Sequence, residues 1–183
     1  MCQCRLGYSA PDDRALSNGF HLMSTTECQF HLAIHSEIEI EATPQVVWQW
    51  LDRPCEWKPS IVSLERLDGL PGQAGELLRL GQRPGTETVY MRMQTLRAEP
   101  YVRRVQTLCS EASRAVDGFV VYSLAPMGSA TRLACDVVAR CVLPSDAVAG
   151  GSVAEFAQSV NAATAAKLDA DHRTLKALIE RGD

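Results

Sequence analysis

From Phe30 to Glu41 the chain alternates. Phe30, Leu32, Ile34, Ile38 and Ile40 fall on one side, and His31, His35, Glu37, Glu39 and Glu41 on the other. A period of two marks a strand with one buried face, and it assigns both histidines to solvent. Six further strand-like runs follow: 61–67, 76–82, 86–96, 101–111, 116–124 and 131–143. The segments "DGLPGQAG", "RPGT", "AEP", "EASRA" and "APMGSA" between them are turns by composition. Loops this short leave no room for crossover helices, so the expected sheet is an antiparallel meander.

Two breaks in the alternation predict helices. Thr43-Pro44 offers an N-cap and a first-turn proline, and "QVVWQWL" continues helically until Arg53-Pro54. A second brief turn carries Trp57. After the last strand the period changes to that of a helix, with Val153, Phe156, Val160, Ala163, Leu168, Leu175, Leu178 and Ile179 on one stripe. Ser152 and Glu155 form a capping box at its start, Thr164 can bond back to the carbonyl of Val160, and Gly182 stops it. About 28 residues give a rod on the order of 42 Å. His172 falls on its polar side. Residues 1–27 show neither period and read as an arm, leaving 28–183 as one domain.

An antiparallel sheet with one apolar face curls, and here a single long helix must cover that face. A curled sheet and a straight rod leave a gap that is either filled by large side chains or left as a cavity. The motifs that accompany this layout are A-x-x-x-x-V-W (42–48), G-x-P-G-x-x-G (69–75) and Y-x-L-x-P-x-G-x-x-T-R-L (122–133). With the opening strand and closing helix they make the chain resemble the START-like superfamily over about residues 30–181. That superfamily includes birch-allergen-like proteins, polyketide cyclases and aromatases, and lipid-transfer domains. The resemblance implies an α+β helix-grip: a seven-stranded curved antiparallel sheet around a long C-terminal helix, with two short helices after the first strand. It also implies a cavity lined by Val89, Met91 and Met93, by Val120, Tyr122 and Leu124, by Cys135 and Val137, and by Phe156 and Val160. Trp48 and Trp50 read as core; Trp57 stands near where such a cavity opens.

Composition narrows the rest. A net charge of −4 gives no electrostatic reason to expect nucleic acid. No run approaches the length that spans a bilayer, and no signal peptide opens the chain, so a cytoplasmic protein without stable membrane insertion is expected. The seven cysteines contain no CxxC and no zinc-site spacing with histidine, which predicts reduced thiols, no metal and no cofactor. The sequence leaves room for a homodimer.

Nucleophile–base motifs are absent. Tyr101 and Arg103 share a strand face and could orient a carboxylate or a polyketide oxygen if that face turned inward; an arginine in water is the plainer reading. Asp136 and Arg140 read as an exposed pair. Two functions stand open. One is binding of a hydrophobic or aromatic small molecule, a lipid, polyketide-like or quinone-like compound, in the cavity. The other is a cyclase or aromatase acting in the same space, where confinement itself supplies much of the rate. A chaperone-like module is a third, and would need an exposed apolar patch.

Overall fold

The two-residue period at 30–41 becomes the first strand of a seven-stranded sheet. The structure is a computed structural model that describes residues 27–83, 85–111, 116–148 and 151–182. The arm expected over 1–27 therefore lies outside the described residues except for Glu27, as do Cys2, Cys4 and His21. In chain order the elements are β1 (Glu27–Ile40), α1 (Pro44–Leu51), α2 (Pro54–Trp57), β2 (Ile61–Asp68) and β3 (Leu77–Gln82). Then come β4 (Val89–Glu99), β5 (Arg103–Ser110), β6 (Val116–Met127), β7 (Ala130–Pro144), a 3-10 turn at Ser145–Ala147, and α3 (Val153–Arg181).

All pairings are antiparallel, in the order β1-β7-β6-β5-β4-β3-β2. This is the expected α+β helix-grip, with β1 closing against β7 rather than against β2. At Gly118 on β6 the neighbouring strand comes very close: a Cβ there would stand 2.3 Å from the carbonyl oxygen of Val138 and 2.6 Å from Ala139 Cα.

The helix termini form as their residues dictate. Pro44 occupies the first turn of α1, although the Thr43 side chain makes no cap bond. The Ser152–Glu155 capping box is complete, Thr164 Oγ1 donates to the Val160 carbonyl at 2.7 Å, and Gly182 ends α3 in the left-handed region. α3 also covers β1, which is an edge strand with unpaired backbone groups. Asn161 accepts from the Ala33 N–H at 3.0 Å and donates to the His31 carbonyl at 3.1 Å. Lys176 Nζ donates to the Glu39 carbonyl at 2.7 Å, and Glu180 accepts from the Glu41 N–H at 2.9 Å. Side chains of the helix thus take the place of a missing strand.

The main core joins Ile40, Val47, Trp48, Trp50 and Leu51 to Leu124, Leu133, Leu175 and Ile179. A polar knot closes one end. Arg104 is buried, pairs with Asp52 at 2.8 Å, and lies 4.4 Å over the Trp48 ring. The glycine turn packs onto it: Gly72 has φ +66°, and a Cβ there would meet Arg104 Nη2 at 3.0 Å. Its N–H donates to buried Glu76 at 2.9 Å, which also accepts from Arg66 at 3.0 Å. Among the described residues no helix is long and apolar enough to cross a membrane.

Candidate functional site

Between the concave sheet and α3 lies a cavity of about 140 Å³. Its sheet wall is Leu108, Val120, Tyr122, Cys135 and Val137, and its helix wall is Thr164, Leu168 and Asp171. Lys58 and Ser60, just after α2, line it as well, with Gln82 and Lys167. A smaller extension of about 60 Å³ continues beneath Trp57, lined also by Leu51, Met93 and Gln106. Strand register explains the wall: Val120 pairs with Val137, and Tyr122 with Cys135, so these four side chains share one face.

The polar centre of this space is Lys58. Its Nζ donates to the Tyr122 hydroxyl at 2.9 Å and lies 4.5 Å from the Trp57 ring centroid and 5.6 Å from that of Tyr122. Trp57 is itself fixed, its Nε1 donating to the Trp50 carbonyl at 2.9 Å. Burial works against the charge of Lys58, whereas the Tyr122 oxygen that accepts its hydrogen bond, the Cys135 sulfur and the more distant Asp171 carboxylate favour it, and the pKa stands above the usual lysine value. Burial likewise pushes the Tyr122 phenol up, and it drives the Cys135 thiol to about 11. At neutral pH the lysine is therefore a cation beside a neutral phenol and a neutral thiol. Asp171 is paired with Lys167 at 2.9 Å, whose side chain is half exposed.

Behind Trp57 stands His172, its ring centroid 6.2 Å away. The expectation of a polar-side histidine is corrected here: His172 is only 1% exposed. The Ser36 hydroxyl donates to Asp169 at 2.5 Å and so accepts from His172 Nδ1 at 2.9 Å. That leaves Nε2 as a buried lone pair without a partner. Burial, with a contribution from Lys58, lowers this imidazole to about 4.

Of the residues expected at a site, Trp57, Met93, Val120, Tyr122, Cys135 and Val137 line the cavity or its extension. Leu124 is buried in the main core, and Met91 packs with Ile61 and Leu80. Phe156 and Val160 are half-buried farther up α3, Phe156 meeting Phe30 edge-on at 5.6 Å. Val89, Tyr101 and Arg103 turn to solvent. Tyr101 is not on a strand at all; it occupies the β4–β5 turn at φ +68° and touches Trp48 edge-on. The inward face of β5 is Arg104, Gln106 and Leu108, one residue out of step with the Arg103 face. Asp136 and Arg140 do not pair with each other, because four strand residues separate them by roughly 13 Å. Asp136 accepts from His35 at 2.8 Å, and Arg140 approaches Asp117 at 4.0 Å. Leu168 and Thr164 belong to the helix face expected to meet the sheet, whereas Lys58, Ser60, Gln82, Leu108, Lys167 and Asp171 were not anticipated. Among the described residues no group of three histidine, cysteine or carboxylate side chains could hold a metal ion.

A sequence profile for "polyketide cyclase / dehydrase and lipid transport" matches residues 31–180. No curated protein sequence matches the chain. Solved structures that resemble it share the fold at low identity. An uncharacterised protein from Rhizobium leguminosarum superposes with a TM-score of 0.62 at 14% identity, over 86% of this chain and 99% of its own. The di-domain aromatase/cyclase StfQ of the steffimycin pathway does so with a TM-score of 0.68 at 14% identity, covering 82% of this chain and 51% of StfQ. This chain thus spans about half of StfQ. Ara h 8.0201 gives a TM-score of 0.55 at 12% identity, over 80% and 98% of the two chains.

Proposed function

Because the chain belongs to the polyketide cyclase/dehydrase and lipid transport family, we propose that it encloses a hydrophobic or aromatic small molecule between its sheet and α3. The unfilled 140 Å³ beside Leu108, Val120, Val137 and Leu168 carries this reading. Close-packed interiors leave few voids larger than a water, and an apolar space of about 150 Å³ admits benzene. The ligand, or the part of it that enters, is thus about one ring in size. Apolar burial supplies affinity at about 25 cal/mol per Å² before ordering costs. Native mass spectrometry of freshly purified protein, followed by a tryptophan-fluorescence titration with toluene and naphthalene, tests it. A stoichiometric guest or a saturable change at Trp57 is expected; an empty protein whose fluorescence ignores both compounds would sink the reading.

A second reading, a cyclase- or aromatase-like enzyme, is favoured by one observation. An ammonium held by a phenol in this cavity would polarise a ligand carbonyl and stabilise the enolate formed when solvent water takes an α-proton. Lys58 would then be the catalytic donor and Tyr122 its positioning residue. Deuterium uptake at the α-carbon of a small β-diketone should be accelerated by the protein and fall by roughly 10² in Lys58→Met. No acceleration by the wild-type chain rules this chemistry out for diketones.

A further inference from the structure

The charges around the cavity do not balance. Two lysines and one aspartate stand on its wall, and Lys167 and Asp171 neutralise each other at 2.9 Å. Lys58 is left with a phenol and two ring faces, and with no carboxylate in ion-pair contact among the described residues. Ring faces compensate a desolvated cation only partly. Tyr122 and Cys135 stay neutral at pH 7 and supply no countercharge. A half-buried cation that no carboxylate contacts is costly for the protein, and a guest that brings a countercharge recovers that cost.

We infer that the cavity selects an anion: an apolar body of about one ring bearing a single acidic oxygen, carboxylate or phenolate, that pairs with Lys58 Nζ. This rests on the enclosure reading and adds the charge of the guest to it. Lys58 is half-buried and already anchored by Tyr122, so pairing requires little reorganisation of the protein. A neutral isostere would fill the same space but leave the cation unpaired. Discrimination by charge therefore lies in the lysine, while Leu108, Val120, Val137 and Leu168 set the size of the apolar body.

Calorimetry at pH 8 with the full chain tests this, comparing benzoate with benzamide and 4-nitrophenolate with nitrobenzene. The anion of at least one pair should bind roughly tenfold or more tightly than its neutral partner; which pair does so tells carboxylate from phenolate. In Lys58→Met that advantage should collapse to within about threefold while benzamide keeps its affinity, and Lys58→Arg, which retains the cation, should keep the preference. Neutral compounds that bind as well as both anions, or a preference that survives in Lys58→Met, overturn the inference with the enclosure reading intact. Binding of none of the four compounds overturns both.

Discussion

His172 is the residue whose environment most changes its chemistry. With Nδ1 committed to Ser36 and Nε2 buried without a partner, protonation would place a second charge near Lys58. Its folded pKa of about 4 lies below the ordinary 6.5, so the unfolded chain binds a proton that the folded chain refuses. The associated stability is complete above pH 6.5 and is lost as the pH falls towards about 4. Between pH 7.5 and 5 this single group should cost about 2 kcal/mol, read as a drop in urea midpoint, and His172→Gln should flatten that slope. An unchanged slope would mean the ring is solvated. His35 acts in the opposite sense: its hydrogen bond to Asp136 raises its pKa, favouring the fold at low pH, and its exposure keeps the effect small. Thiols offer a second check. Among the five described cysteines Cys55 is the exposed one, whereas Cys135 is buried with its pKa at about 11. Alkylation at pH 7.5 followed by mass spectrometry should modify Cys55 long before Cys135, and the reverse order would refute the placement of Cys135. Neither the burial of His172 nor the place of Lys58 at the cavity was legible in the sequence. Each owes its surroundings to Trp57 and to a strand remote in sequence, which no local period encodes.

At the scale of elements, legibility followed contrast between faces. β1 alternates isoleucine and leucine with glutamate and histidine, and its orientation could be read directly. β5, "RRVQTLCS", mixes polar and apolar residues on both faces, so its pattern named no inner side and Arg104, Gln106 and Leu108 went unread. The turn motif G-x-P-G-x-x-G was visible, but its purpose, to lay Gly72 over buried Arg104 and its partner Asp52, needed the fold. Gly118 carries an element-level prediction. Because any side chain there would collide with the β7 backbone, Gly118→Ala should destabilise by about 1–3 kcal/mol, seen as a lower Tm. A Tm at or above that of the wild type would show that the two strands can separate at no cost. Ser152→Ala should cost about 1 kcal/mol by removing half of the capping box.

For the whole molecule, α3 is held unevenly. Its buried residues, Leu168, Asp171, His172, Leu175 and Ile179, all lie in the C-terminal half, while Phe156, Val160 and Thr164 are only half-buried. The N-terminal half is the part that can give way to a guest larger than one ring. In hydrogen exchange its amides should open well before those of 168–179 and slow when a ligand binds; uniform protection along α3 would exclude this route. The pairing of β1 with β7, finally, bears on how the chain is born. Glu27 meets Pro144 and Ile40 meets Thr131, so β1 waits for its partner until about a hundred further residues have left the ribosome. At 5–20 residues per second that is roughly 5–20 s. The β2–β6 meander can zip meanwhile from neighbouring strands, whereas β1 stays unpaired until β7 emerges. Since α3 follows β7 and rests on β1, the cavity closes last of all. A nascent chain therefore leaves the sheet wall of its cavity uncovered until synthesis is nearly complete.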